Sequence, residues 1–345
     1  MKTKKQNPDF LYIGEKLVKW YQTNARNLPF RNTKNPYKIW ICEVIFQQTR
    51  IEQGLDHYLK FIARFPNVEM LANADLDEVL LYWKGLGYYS RAINLHKAAQ
   101  QIMTDFAGEF PTKYEDILSL KGVGKYTTAA IVSICFDKKI PAVDGNFYRV
   151  LSRVFADDYD ISASKSFDYF STLALELMPE KNSGLFNQAM MDLGSEICRK
   201  SKPRCVECPL QDDCLAFSLG KISEFPMKSK KAKTSDLHLT YYFVHCDGEF
   251  LIQQRGDDFI WKKLYEFPTE IPENLESKIV HSIEIQHKLT HKNLKIIVQT
   301  VELSKTDFQQ LASENNLEIS DWQKSQLKSF PKPLENYLSK VFSSK

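Results

Sequence analysis

The sequence predicts two domains, the first mainly helical and the second a small α+β unit. Three observations carry this. A length of 345 residues exceeds what a single core usually organises. Apolar residues recur at helical spacing through most of the chain, as in YKIWICEVIFQQT, DEVLLYWKGL and YFSTLALELM. Beyond a lysine-rich stretch, the segments LHLTYYFVHC, EFLIQQR and LKIIVQTVEL are short, rich in β-branched and aromatic residues, and broken by turn formers such as Asp247-Gly248. The expected boundaries are 1–220 for the helical domain, 221–236 for a basic linker and 237–345 for the α+β domain, which closes on a helix in PLENYLSKVF.

A hydrophobic content of 43% and an aromatic share of 12% mark a globular chain, and a net charge of +3 does not by itself point to nucleic acid. The N-terminal MKTKKQNPDF lacks an apolar core and a small-residue cleavage site, and no apolar stretch is long enough to span a bilayer, so a reducing, non-membrane setting is expected. There is no internal repeat and no low-complexity tract.

Within the helical part, LSLKGVGKYTTAAIVSI reads as a hairpin of helices: one from about Thr112 to Leu118, a turn at Gly122-Val123-Gly124, and a second helix beginning near Lys125. The two glycines allow a sharp turn that leaves amide groups at a helix N-terminus pointing outward, a site for phosphate that would not read sequence. Further on, Asp144 precedes Gly145-Asn146 and the helical FYRVLSRVF, the position of an N-cap.

Cys198, Cys205, Cys208 and Cys214 gather four of the seven cysteines into a C-x6-C-x2-C-x5-C run. Four thiolates on short loops suit a tetrahedral zinc or an iron-sulfur cluster, and the asymmetric spacing leans toward a cubane. Two disulfides or chance burial are the competing accounts, and disulfides belong to oxidising compartments. Cys42, Cys135 and Cys246 stand singly in apolar surroundings and read as core residues. In the linker, Lys228, Lys230, Lys231 and Lys233 crowd together with no periodic apolar face, which reads as an exposed, solvated segment.

The hairpin, the following VDGN and the cysteine run, in this order, resemble the helix-hairpin-helix, Gly/Pro-Asp and 4Fe-4S elements of base-excision DNA glycosylases. LPFR (28–31), PYKIWICEVIFQQT (36–49), WKGLGYYSRAINLHKAA (83–99) and FNQAMMDLGSEIC (186–198) resemble the MutY type, the A/G-specific adenine glycosylases. The likeness spans nearly all of residues 10–225. It implies a helix-hairpin-helix glycosylase domain holding a 4Fe-4S cluster on the four cysteines, acting as a monomer on double-stranded DNA that carries adenine opposite 8-oxoguanine or guanine. A cytoplasmic, nucleoid-associated location goes with it.

Cutting an N-glycosidic bond needs an acid for the leaving base and a negative charge beside the developing sugar cation. Glu43 lies among apolar Trp40, Val44, Ile45 and Phe46, where a carboxyl is partly desolvated and held protonated. From the residues alone a snorkelled or ion-paired glutamate is the readier account; the resemblance places Glu43 at the family's catalytic acid. It also implies that Asp144 faces the target sugar while capping its helix, with Asn146 holding the arrangement. Tyr126 occupies the place where strand-cleaving relatives carry a Schiff-base lysine, and Lys125 is one residue, roughly 100° of helix, out of register. A monofunctional enzyme is expected.

The resemblance further implies that Gln48 and Tyr88 wedge into the strand opposite the adenine with Thr49 and Leu86 beside them. Arg91, Lys125, Gly122 and Gly124 would meet phosphate, and Arg31 and Gln188 would line the adenine pocket. Arg199, Lys200, Lys202 and Arg204, between the first two cysteines, would present positive charge to the backbone. Phe30 stands where many relatives carry Trp.

From Leu237 onward, FLIQQR and IWKKLYEFP resemble the start of a Nudix-like domain, but the Gly and R-E-x-x-E-E helix that hold a hydrolytic metal are missing, so this domain is expected to recognise and not to hydrolyse. The family's Phe-Ser-His lesion-reading motif is matched by Leu289-Thr290-His291, which keeps a hydroxyl and an imidazole and loses the aromatic. A thymine-mismatch glycosylase is opposed by this domain, a non-catalytic iron-sulfur DNA-binding protein by the presence of both Glu43 and Asp144, and a nucleotide pyrophosphohydrolase by the missing metal helix.

Overall fold

The computed structural model describes residues 10–229, 235–257 and 259–343. They fall into two compact units. The first runs to Asn73 and resumes at Asn94; the second takes Ala74–Ile93 together with the chain from the first strand onward. Among the described residues no helix is long and apolar enough to cross a membrane.

The helices, in order, are α1 (Phe10–Asn24), α2 (Pro36–Ile45), α3 (Ile51–Arg64), α4 (Val68–Ala72), α5 (Leu76–Trp83), α6 (Ser90–Asp105), α7 (Tyr114–Ser119), α8 (Lys125–Phe136), α9 (Gly145–Val154), α10 (Ser166–Leu177), α11 (Ser183–Asp192) and α12 (Leu215–Ser218). In α1, Ile13, Leu17, Val18 and Tyr21 form one face, and it buries against Phe147, Val150 and Leu151 of α9, Phe170 and Ala174 of α10, and Phe186 and Met190 of α11. Helix α2 begins where Asn35 accepts a hydrogen bond from the Lys38 N–H and Pro36 takes the first helical position. Its seven buried residues, Tyr37, Ile39–Cys42, Val44 and Ile45, leave few positions for solvent, and α8 is buried from Thr127 to Ile134. These two apolar helices pack on each other.

The expected hairpin is present as α7 and α8. Gly122 takes φ 75°, and a Cβ there would lie 2.5 Å from the Asn94 Cβ. Gly124, at φ −105°, is extended at the N-cap of α8, with open space where a side chain would go. The turn therefore needs only one of the two glycines for its torsion angles. Cys135 departs from the core reading: it is half-buried, whereas Cys42 and Cys246 are buried.

Helix α11 runs into a π turn, Leu193–Ile197, that delivers the chain to Cys198. After the last cysteine, Phe225 is buried against Cys214 and Ala216, the Arg153 Nε donates to its carbonyl at 3.2 Å, and the Ile161 N–H donates to the Met227 carbonyl at 3.0 Å. The start of the expected linker is thus a strap on the first unit, with Lys228 exposed; Lys230, Lys231 and Lys233 lie outside the described residues.

The second unit is built on strands β1 (Ser235–Cys246), β2 (Glu249–Gln254), β3 (Tyr265–Glu266), β4 (Ile279–Lys288), β5 (Lys292–Glu302) and β6 (Glu318–Ser320), with helices α13 (Lys305–Glu314), α14 (Trp322–Gln326) and α15 (Lys332–Ser343). The strand order is β3-β2-β1-β5-β4, with β6 on β2; β1 and β5 run parallel and the other pairs antiparallel. Alternation sorts the faces: Phe250 and Ile252 join Tyr241, Phe243 and Val298 under Leu334, Tyr337 and Leu338 of α15, while Leu251 joins Val244 and Val301 under Phe308 and Leu311 of α13. Helix α5 is tied to this sheet by Asp77, which accepts from the Tyr265 hydroxyl at 2.6 Å and the Gln254 amide at 3.0 Å, and the loop after it by Lys84, 3.0 Å from Glu335. β4 and α13 were not anticipated from the sequence. β4 alternates half-buried and exposed residues at the sheet edge, and its many polar residues mask the strand pattern.

Candidate active site

A cleft of about 640 Å3 in the first unit is lined from α2, α8, α9 and α11. Glu43 enters it from α2, half-buried. Burial pushes its carboxyl above the ordinary range; the hydrogen bond from Tyr126 and the charge of Arg31 pull it down, and Asp144 pushes it up. Tyr126, in the first turn of α8, donates its hydroxyl to Glu43 Oε2 at 2.7 Å. Burial, reinforced by Glu43 and Asp144, holds the phenol well above its usual range, so it stays a donor.

Asp144 caps α9 as expected. Its Oδ1 accepts from the backbone N–H of Asn146 at 2.8 Å and of Phe147 at 3.0 Å, and its Oδ2 accepts from the Asn146 amide at 2.8 Å. Burial raises this carboxyl too, against the pull of those donors and of Arg149. Three donors and a helix N-terminus favour charge at Asp144, whereas one donor serves Glu43. Of the two carboxyls, Asp144 is therefore the better suited to carry charge and Glu43 to carry a proton.

Asn146 accepts in turn from Arg149 Nη2 at 2.7 Å, and the same guanidinium donates to the carbonyls of Gly194 and Cys198, each at 2.7 Å. A continuous run of hydrogen bonds thus links Asp144 to the cysteine loop. Gly194 permits the approach, since a Cβ there would lie 2.5 Å from the Asn146 Cβ.

Arg31 lines the cleft and is anchored from behind by Asp192, whose Oδ1 takes Arg31 at 2.8 Å and Arg26 at 2.5 Å. Burial pushes the Arg31 guanidinium down, and Asp192, Tyr21, Cys42 and Glu43 together more than offset it. Gln188 also lines the cleft; its Oε1 accepts from the Tyr21 hydroxyl at 3.0 Å, which fixes the amide and leaves the NH2 for the cavity. Thr49 lies on the rim. Gln48, next to it, is exposed with φ 58°, a strained setting for a residue with a Cβ. Lys125 is exposed, pairs with Asp168 at 3.2 Å, and is outside the cleft lining, as its offset from Tyr126 implied.

All four clustered cysteines line one small cavity with Val150, Arg153 and Leu193. None of the seven cysteines is joined in a disulfide. Arg153 Nη1 lies 3.4 Å from Cys198 Sγ. Among the described residues no group of three or more His, Cys, Asp or Glu is gathered closely enough to hold a metal ion. Of the basic residues in this loop, Arg199 pairs with Glu196 at 3.6 Å and Arg204 with Glu207 at 3.1 Å.

The second unit has its own cleft, about 590 Å3, lined by Leu86, Tyr88, Thr290 and His291 among others. Thr290 and His291 sit in the tight β4–β5 turn, closed by the Leu289 N–H donating to the Lys292 carbonyl at 2.8 Å. Tyr88 takes φ 46° and is 52% exposed, with its hydroxyl 2.5 Å from Thr290 Oγ1. Leu86 is buried. Arg91 donates to the carbonyls of Leu86 and Gly87 at 3.2 Å each and lies 5.1 Å over Trp83; burial lowers it to about 10. Its guanidinium braces the turn that presents Tyr88.

Tyr21, Arg149 and Asp192 were not singled out from the sequence. Each has at least one partner 45 to 167 residues away, and the apolar spacing of α1 would mark Tyr21 only as a core position.

The profile of the HhH-GPD superfamily base excision DNA repair protein matches residues 41–173, and that of the NUDIX domain matches residues 240–340. The chain is 33% identical over 308 residues to the adenine DNA glycosylase of Buchnera aphidicola subsp. Schizaphis graminum (strain Sg), covering 85% of this chain and 89% of that protein. It is 36% identical over 259 residues to the adenine DNA glycosylase of Buchnera aphidicola subsp. Acyrthosiphon pisum (strain APS), covering 74% of each. Among solved structures, a thermostable thymine-DNA glycosylase superposes with a TM-score of 0.57 at 30% identity, covering 61% of this chain and 97% of that one.

Proposed function

This chain belongs to the adenine DNA glycosylases of the HhH-GPD superfamily, and from that membership we propose that it flips adenine mispaired with 8-oxoguanine or guanine out of duplex DNA and removes it by hydrolysis. The observation that carries the reading is the pair of unlike carboxyls in one cleft: Glu43 under a single phenol donor and Asp144 under three donors at a helix N-terminus.

In this reading neutral Glu43 gives its proton to the departing adenine, a step that contributes roughly 10²- to 10⁴-fold. Ionised Asp144 faces the oxocarbenium that forms on the sugar, and Asn146 keeps its carboxylate in place. Water completes the hydrolysis at the sugar carbon. Tyr126 orients Glu43 and, having an oxygen in place of an amine, cannot form a Schiff base, so the strand stays intact. Arg31 and Gln188 bind the base, each fixed from behind by Asp192 and Tyr21.

Extrusion costs a few kcal/mol and least at a mispair. Gln48 and Tyr88, both exposed and both held at positive φ, suit the filling of the vacated stack, with Thr49 and Leu86 beside them. Gly122 and Gly124 leave the N-terminal amides of α8 open to phosphate, with Lys125 next to them. Arg91 acts through the turn it braces. Thr290 and His291 offer a hydroxyl and an imidazole to the base opposite the adenine.

The four cysteines fit a 4Fe-4S cluster. All four line one cavity, and four cysteine side chains are the usual ligand set of such a cluster. Cys198, Cys205, Cys208 and Cys214 would hold it, and its contribution would be to fold the loop that Arg149 and Arg153 join to the active site. The chain would work as a monomer in the cytoplasm on nucleoid DNA, with the domains divided near residues 220 and 237.

A thymine-mismatch activity is opposed by the NUDIX match and by the adenine glycosylases that cover most of the chain. The test is incubation of the purified protein with duplexes holding adenine opposite 8-oxoguanine, guanine or thymine. Adenine release from the first two, with breaks only after alkali, is expected; release opposite thymine at an equal rate, or breaks without alkali, would overturn the proposal.

A further inference from the structure

The turn that carries Thr290 and His291 has hydrogen-bonding groups but no ring face, because Leu289 packs on the core of the second unit. The cleft beneath that turn contains two aromatic side chains that are about half open to solvent, Tyr88 and Phe259. Tyr88 is tethered to Thr290 through its hydroxyl. Phe259 is 49% exposed while its neighbours Ile260 and Trp261 pack on the core. Its backbone sits at φ 72°, and Trp261 and Lys263 follow at 59° and 60°, so the segment alternates through the left-handed region. A bulky residue is seldom found there, and such outliers persist where the surroundings enforce a side-chain position. What is enforced is a phenyl ring left half in solvent, a position hydrophobic burial alone would not select. Across the cleft Lys292 stands 5.8 Å from the ring centroid, so a cation lies beside the open face.

An open aromatic ring next to a cation and two hydrogen-bonding side chains is what a protein uses to stack an unpaired base beside its phosphate. We infer that Phe259 is a specificity-determining residue: it supplies the stacking face on which the purine opposite the excised adenine rests, while Thr290 and His291 read that purine's edge. This rests on the assignment of Thr290 and His291 to that base. The division of labour has a measurable signature. Stacking is tolerant of base identity, so Phe259 would serve 8-oxoguanine and guanine equally, and the choice between them would lie with the turn.

The experiment measures the affinity of the full chain for duplexes in which 2′-fluoro-2′-deoxyadenosine, whose fluorine blocks departure of the base, stands opposite 8-oxoguanine, guanine or thymine. Phe259→Ala is expected to weaken binding to the first two by about tenfold each, within the span that stacking on one side chain covers, with their ratio unchanged. Phe259→Trp should restore it, and Phe259→Leu, apolar but without a π face, should not. Thr290→Val should change the ratio instead. Wild-type affinity in Phe259→Ala, or full recovery in Phe259→Leu, would overturn the inference. Failure of the underlying assignment shows separately, as an unchanged 8-oxoguanine to guanine ratio in both Thr290→Val and His291→Ala; the Phe259 variants are judged on each duplex on their own.

Discussion

Replacing Tyr126 by Phe removes one oxygen and the hydrogen bond it donates to Glu43 Oε2, and leaves the ring packed. That bond serves the charged form of Glu43, because a carboxylate accepts from a phenol more strongly than a carboxylic acid does. A hydrogen bond to a charged group contributes about 1.5–3 kcal/mol, and 1.36 kcal/mol is one pKa unit. With some return from water in the vacated space, the Glu43 carboxyl should rise by about one unit. The sign follows from which form works. The acid acts while protonated, so activity falls as pH rises through its pKa, and the variant should carry its alkaline limb about one pH unit further up. The phenol itself, held well above its ordinary range, does not contribute that limb. At pH values below the limb the variant should be slower by about tenfold, since Glu43 is less well oriented. Single-turnover release of adenine from an A:8-oxoguanine duplex, followed across pH, checks both. A limb that stays fixed or moves down while the rate drops would refute the reasoning.

Glu43→Gln keeps an acceptor for Tyr126 and removes the proton, so adenine release should fall by at least about 10²-fold with DNA affinity retained; equilibrium binding beside single-turnover rates measures the two. Asp144→Asn should abolish release while the thermal midpoint changes little, since Asn also caps, whereas Asp144→Ala should lose about 1 kcal/mol of stability as well. Arg149→Ala leaves the Asn146 side chain and the carbonyls of Gly194 and Cys198 without their donor, a cost of about 2–4 kcal/mol, seen in chemical denaturation together with a lowered rate. Cys205→Ala should damage folding or DNA affinity more than the rate of the bound complex, with loss of visible absorbance from the purified protein; wild-type affinity without the absorbance would contradict a role in holding the loop.

The helical unit was legible where one helix face or one turn carries the message. Asp144 reads as a cap because its donors are two and three residues away, and Lys125 reads as out of register because a helix turns by a fixed angle. The environment of Glu43 was visible in its apolar neighbours, but the donor that tunes it, Tyr126, lies 83 residues on and no local pattern announces it. Tyr21 and Asp192 were missed for the same reason, since the side chains they hold are distant in the chain; Arg149 has Asn146 three residues away, but its other partners, the carbonyls of Gly194 and Cys198, lie 45 and 49 residues on. Lysines dominate the composition of the expected linker, whereas one buried ring, Phe225, ties its start to the first unit. The grouping of Ala74–Ile93 with the sheet was invisible, because its ties, Asp77 to Tyr265 and Lys84 to Glu335, join residues about 190 to 250 positions apart.

Deleting everything after the strap would be the natural way to ask what the C-terminal portion adds. Such a truncation is a double perturbation. It strips the Nudix-like fold, and it also orphans a stretch of the helical sequence: Asp77 and Lys84 lose their counterparts, and the Tyr88 hydroxyl loses Thr290. Slower excision by a shortened protein would then report a slackened wedge as much as a missing reader, and point substitutions within the β4–β5 turn separate the two more cleanly than any cut in the chain.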